Sequence, residues 1–292
     1  MFAGVHTALA TPFQNGQIDA AAFKRLIDYQ FDNGIKGVVP AGTTGESPTL
    51  NYEEHDRIVE LAVEYTTGRG LIIAGTGSNS TSEAIHMTQS AEKAGAHASL
   101  QVCPYYNKPS QAGLVAHFRA IAESTELPLI LYSVPGRCGV EIGVETIATL
   151  AETCRNVVAI KEAGGNAERV SQIAAATPDT FEILSGDDSL TLPFIAVGAC
   201  GVISVASNLI PAVMSELVDA ANSGDFTKAR AIHEEYYALF SAFLKLDSNP
   251  VPIKAALALR GLIGNEIRLP LVPMDATRVE QLRGLLSTLN LL

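Results

Sequence analysis

The chain has no tryptophan, six histidines and four cysteines in 292 residues. His6, His55, His86, His97, His117 and His233 never fall into HxH or HExxH spacing, so a histidine-held metal is not expected. Cys103, Cys138, Cys154 and Cys200 show no CxxC spacing and read as free thiols of a reducing cytoplasm. The opening MFAGVHTALATPF lacks the charged-then-apolar pattern of a secretory leader. Positive charge is scarce as well. Lys and Arg number 20 against 31 acidic residues, a net charge of -11, and such a surface repels nucleic acid and anionic membranes. Any anionic substrate must be captured by locally placed donors. The uncharged stretch between Asp188 and Glu216 is broken by Pro193, Gly198, Gly201, Asn208 and Pro211. It reads as buried helix, turn, strand, turn, helix rather than a membrane span.

What is abundant is apolar sequence, 47% of the chain, enough for a sizeable core. It falls into short β-branched runs separated by segments of helical spacing. The strand runs are Val5 to Ala10, Gly37 to Pro40, Leu71 to Ala74, Ala98 to Cys103, Leu129 to Tyr132, Val157 to Lys161, Glu182 to Leu184 and Gly201 to Ser204. Helical stretches follow each one: Ala20 to Asn33, Tyr52 to Tyr65, Thr81 to Ala94, Gln111 to Ser124, Val144 to Thr153, Glu168 to Ala176, Ser189 to Val197 and Ile210 to Asn222. Eight continuous rather than alternating strands, each followed by a helix, predict an α/β fold, a closed (β/α)8 TIM barrel over residues 1-224. Phe226 to Leu246, Val251 to Leu262 and Thr277 to Leu289 read as helices without intervening strands. Residues 225-292 are therefore expected to form a C-terminal helical extension packed on the barrel, since no low-complexity linker precedes them.

Barrel chemistry sits at the C-terminal ends of the strands. Lys161 ends the apolar run Val157-Val158-Ala159-Ile160, where burial favours a neutral amine able to attack a ketone. The competing reading is a lysine that has left the barrel and pairs with Glu162 in solvent. Gly42-Thr43-Thr44-Gly45-Glu46-Ser47 offers backbone N–H groups and two hydroxyls for a small carboxylate; it also reads as an ordinary βα turn. Tyr132 is either core or, beside a reactive lysine, a general acid/base. Arg137, after a Pro-Gly turn, either clamps a carboxylate or is solvated. Asp187-Asp188 fits a helix cap better than a cation site. Gly75-Thr76-Gly77 is a partial dinucleotide fingerprint, with Ser80 where the third glycine belongs.

Taken in order, GTTGES, GTGSN, PYYNKPSQ, YSVPGR, AIKEAGG, LSGDD, GVISV, NPVPIKAAL and RLPLVP resemble the dihydrodipicolinate synthase family over nearly the whole chain. That family lies among the pyruvate-dependent class I aldolases with N-acetylneuraminate lyase. The resemblance implies a cytoplasmic lyase that needs no cofactor or metal. It would condense pyruvate with aspartate 4-semialdehyde to 4-hydroxy-tetrahydrodipicolinate, in diaminopimelate and lysine biosynthesis. It assigns the imine to Lys161, proton transfer to Tyr132, Thr43 and a neighbouring subunit's Tyr106, and the pyruvate carboxylate to Thr44. Arg137 would hold the semialdehyde carboxylate, with Gly186 and Ile203 lining the pocket. It further implies a homotetramer built from tight dimers. Many members also carry a feedback site for L-lysine, whose positions match Ser47, Pro48, Tyr52, His55, Asn79, Glu83 and Tyr105. Ser133 and Gly164 depart from the family pattern, which has Asn and Thr or Ser there. The alternatives are a pyruvate aldolase for a sugar-acid aldehyde, an oxidoreductase using the Gly75 turn, and a silent binding barrel.

Overall fold

A computed structural model describes all residues, Met1 to Leu292. Eight parallel strands close into one barrel: β1 (Gly4–Ala8), β2 (Gly37–Val39), β3 (Leu71–Gly75), β4 (Ala98–Val102), β5 (Leu129–Ser133), β6 (Val157–Glu162), β7 (Glu182–Ser185) and β8 (Gly201–Ser204). Strands β1 and β5 are buried at every position, as a sheet covered on both faces requires. The ring closes where Gly4 meets Gly201, at the join between β1 and β8.

Each boundary lies within a few residues of the sequence reading, and the differences are local. Strand β1 ends at Ala8 rather than Ala10, because the chain turns there into a small hairpin, Phe13–Gln14 against Gln17–Ile18. The helix expected over Ser189 to Val197 is split into a 3-10 turn and the short helix Thr191–Ile195. The uncharged stretch therefore contains short helices and strand β8. No helix of the protein is long and apolar enough to cross a membrane.

Past Gly224 come helices Phe226–Lys245, Val251–Leu259 and Ala276–Thr288. They share one apolar cluster with the barrel: Leu239, Phe240, Ile253 and Leu282 join Leu9, Leu26 and Val202. A polar tie adds to this. Lys254 Nζ lies 2.5 Å from Glu46 Oε1 and donates to the Thr11 carbonyl at 3.0 Å, while the Arg268 amide donates to Glu46 Oε2 at 3.0 Å. Lys254 and Glu46 are both almost fully buried. Leaving either charge alone would cost about 3–5 kcal/mol, so the pair holds the turn after β2 to the C-terminal helices. That turn is strained: Ala41 and Glu46 have φ values of 54° and 57°, the left-handed region that non-glycine residues avoid. It passes into the helix Tyr52–Thr66 through a reciprocal cap in which Asn51 accepts from the Glu54 amide at 2.9 Å and Glu54 accepts from the Asn51 amide at 3.1 Å.

Candidate active site

The parallel register sets Tyr132 of β5 directly beside Lys161 of β6, at the C-terminal ends of both strands. The Lys161 ammonium lies 4.3 Å from the centre of the Tyr132 ring. Both side chains are buried, at 6% and 7% exposure. Burial pulls the Lys161 ammonium down to about 8, opposed by the negative Asp188 and reinforced by Arg137. Burial likewise pushes the Tyr132 hydroxyl up to about 12, against the pull of Arg137 and of a hydrogen bond with Thr43. The result is an amine whose neutral form becomes accessible near pH 8, well below the range of a free lysine, beside a phenol that keeps its proton.

The solvent pairing of Lys161 with Glu162 does not occur. Successive strand residues point to opposite faces, and Glu162, fully buried, turns away to Arg169 Nε at 2.9 Å and the Gly164 amide at 2.6 Å. This geometry also accounts for Gly164. A Cβ there would stand 2.5 Å from Glu162 Oε1 and 3.0 Å from Glu141 Oε1, so a larger residue would press on the carboxylate that braces the loop after Lys161. Ser133, the other departure, is buried, and its hydroxyl accepts from the Ile142 amide at 3.4 Å.

A cavity of about 120 Å³ opens over Lys161, lined also by Thr43, Thr44, Tyr132, Arg137, Gly186 and Asn249. Gly186 is required at this place, since a Cβ on it would come within 2.7 Å of the Ala163 Cβ and 3.1 Å of the Lys161 Cε. Arg137 sits in a short helix, Pro135–Cys138, where the sequence predicts a Pro-Gly turn. Ile203 is fully buried in β8 and lines neither this cavity nor its neighbour. Asp187 caps the next turn by accepting from the Ser189 amide at 2.8 Å, and Asp188 accepts from the Val205 and Ala206 amides at 3.1 and 2.8 Å. Burial pushes the Asp188 carboxyl up to about 6, with hydrogen bonds from Ser204 and Ala206 opposing it.

The second cavity, about 600 Å³, shares Thr43, Tyr132 and Arg137 with the first. Its far wall gathers Ser47, Pro48, Tyr52, His55, Glu83 and Tyr105. Asn79 stands just behind, donating to the Tyr105 carbonyl at 3.1 Å. His55 Nε2 donates to the Gly75 carbonyl at 2.8 Å, and Glu83 accepts from Ser78 at 2.8 Å. The Tyr52 ring meets His86 edge-on at 5.5 Å, a neighbour not foreseen from the sequence. Burial and then the negative Glu83 push the Tyr52 hydroxyl above its ordinary pKa. The Gly75-Thr76-Gly77 glycines serve close packing instead of nucleotide phosphates: added Cβ atoms would meet the Ala41 carbonyl oxygen at 2.4 Å and the Val102 amide at 2.3 Å. Tyr106 does not reach into either cavity of its own chain. It is 88% exposed and held outward at φ 72°.

Residues 1–289 match the Dihydrodipicolinate synthetase family. A 4-hydroxy-tetrahydrodipicolinate synthase of Sulfurihydrogenibium sp. (strain YO3AOP1) is 53% identical over 293 residues, with all of both chains covered. Among solved structures, the 4-hydroxy-tetrahydrodipicolinate synthase of Methylacidiphilum fumariolicum SolV superposes with a TM-score of 0.97 at 54% identity, covering 98% of this chain and 95% of that one. The Cyanidioschyzon merolae enzyme of the same type, with lysine bound, superposes at 0.97 and 42% identity, covering 100% and 99%.

Proposed function

The chain belongs to the dihydrodipicolinate synthetase family, and on that premise we propose that it condenses pyruvate with aspartate 4-semialdehyde to give 4-hydroxy-tetrahydrodipicolinate. The observation that carries this reading is the buried Lys161 amine, side by side with Tyr132 in a cavity that Thr44 and Arg137 also line. Lys161 attacks the ketone carbon of pyruvate, and loss of water leaves an imine. The Thr44 hydroxyl and nearby N–H groups of the turn hold the carboxylate. Tyr132, with Thr43, carries protons during dehydration and during loss of a proton from the methyl group. The resulting enamine carbon attacks the aldehyde, breaking its C=O π bond and restoring the imine, and the new alkoxide takes a proton back through Tyr132 to become the hydroxyl. The substrate amine then attacks the imine carbon, the bond to Nζ breaks, and the proton shed by the amine returns to Lys161.

Arg137 points to the acceptor. The semialdehyde keeps a carboxylate that a guanidinium binds well, whereas a sugar-acid aldehyde presents hydroxyls along its chain. In a coupled assay with pyruvate, aspartate semialdehyde is expected to be turned over in preference to sugar-derived aldehydes. Preference for a sugar-acid aldehyde would place the chain with the other pyruvate aldolases.

The larger cavity is read as a feedback site for L-lysine. Glu83 supplies a carboxylate for an ammonium group, and Tyr52 an aromatic wall for the aliphatic stem. Turnover is expected to fall as L-lysine is added. Glu83→Ala should weaken inhibition on the order of tenfold to hundredfold, as loss of one charge-assisted hydrogen bond implies. A flat response of the unmodified protein up to millimolar lysine would make the cavity purely structural.

A further inference from the structure

Asn249 lies between helices Phe226–Lys245 and Val251–Leu259, beyond the barrel strands. It is 7% exposed and lines the same small cavity as Lys161. Its side-chain Nδ2 donates to the Thr44 hydroxyl oxygen at 3.1 Å, while its amide oxygen is buried without a partner. The one side-chain hydrogen bond of this buried amide is therefore directed at Thr44. An asparagine kept only for packing would be expected to satisfy both ends, because an unpaired buried acceptor is costly. Its main-chain carbonyl meanwhile accepts from the Arg137 guanidinium at 3.4 Å. Five residues on, Lys254 is tied to Glu46 of the turn that carries Thr44, so donor and hydroxyl are anchored to each other.

A hydroxyl has one proton and two lone pairs. When an amide N–H occupies a lone pair of Thr44 Oγ1, the hydroxyl proton is left to donate into the cavity, where the acceptor is the carboxylate of the keto acid. We propose that Asn249 is a positioning residue, setting the donor direction of the Thr44 hydroxyl through its side chain while its main chain steadies Arg137. The inference rests on reading the cavity as a pyruvate site.

The consequence is selective. Asn249→Ala keeps the main-chain carbonyl but removes the amide, so the pyruvate KM is expected to rise about tenfold, the effect of one lost hydrogen bond. The semialdehyde KM and kcat should stay within about twofold, since the lost interaction serves ground-state and transition-state binding alike. Asn249→Leu keeps the volume, carries the same expectation and guards against a folding defect in the alanine variant. The decisive step is a double-mutant cycle with Thr44→Val. Without the hydroxyl, either change at Asn249 should alter the pyruvate KM by no more than about twofold. Full additivity in the cycle, or equal rises in both KM values, would overturn the proposal. Borohydride trapping of pyruvate on the unmodified protein separates the two levels. No adduct at Lys161 defeats the reading of the cavity itself, whereas an adduct with an additive cycle defeats only the role of Asn249.

Discussion

Lys161→Ala is expected to lose turnover on the order of thousandfold or more, because the covalent intermediate disappears with the amine. Borohydride added with pyruvate should leave a reduced adduct on Lys161 of the unmodified protein, located by peptide mass spectrometry. Active protein without that adduct would contradict the mechanism. The loss should be in kcat as well as in pyruvate binding, and it should resist rescue by high substrate concentration. An electrostatic role for the lysine would instead leave a measurable rate and no adduct.

The same residue sets a pH profile. Lys161 titrates near 8 because burial disfavours its ammonium form. Below that value each pH unit leaves about tenfold less free amine, so the rate of imine formation should climb with slope one and level off above pH 8. Asp188 favours the ammonium form, and replacing it by asparagine should move the midpoint of the profile downward. A profile flat between neutrality and the alkaline side would mean that the amine is free at every pH tested.

The barrel was readable in the sequence because the strands are short, mostly apolar runs without period-two alternation, as burial on both faces requires; the polar residues within them, among them His6, Thr7, Ser99 and Gln101, are buried with hydrogen-bond partners. Val157 to Lys161 shows how far this reaches, since the run that predicts the strand also places the lysine at its catalytic end. The hairpin at Phe13–Gln14 and the helix Pro135–Cys138 were not readable. Each is too short for periodicity to register, and each is stabilised by the tertiary contacts around it. Boundaries in the stretch from Ser189 to Ile195 slipped for a related reason: a 3-10 turn and an α-helix present the same apolar spacing over so few residues.

The site shows the same division. Thr43, Thr44, Tyr132, Lys161 and Arg137 converge because all lie at or just after the C-terminal ends of strands, and strand ends could be counted. Asn249 and Lys254 come from beyond the barrel and meet the Gly42 to Ser47 turn across about two hundred positions of sequence. No local pattern marks such a meeting. The only trace in the sequence was a lysine within the apolar segment Val251 to Leu259, a position where an unpaired charge could not be buried and a partner was therefore owed. His86 was invisible for a simpler reason: its place against Tyr52 depends on how two barrel helices pack side by side.

Mixing two crippled proteins should restore activity that neither possesses. Tyr106 is 88% exposed and held outward in the left-handed region, an unfavourable conformation for a bulky side chain in a lone subunit. Its position in the turn after β4 is accounted for if it enters the site of a second copy of the chain and completes the Thr43 and Tyr132 proton path there. A Tyr106→Phe dimer then has two intact lysines and no relay, and a Lys161→Ala dimer has two relays and no nucleophile. In a two-fold hybrid, the Tyr106→Phe subunit keeps its own Lys161 and receives Tyr106 from its neighbour, so one site is whole and the other lacks both groups. Random exchange makes half of the dimers hybrid with one working site of two, and the mixture should approach about a quarter of the unmodified activity. Subunit exchange is verified separately, by mass spectrometry of intact dimers carrying tags of different mass. If exchange is complete and activity stays at the level of the parents, Tyr106 acts within its own chain or not at all. The same mixture made with Tyr132→Phe in place of Tyr106→Phe is the internal control. Tyr132 stands beside Lys161 within one barrel, so those hybrids contain no complete site and should remain inactive.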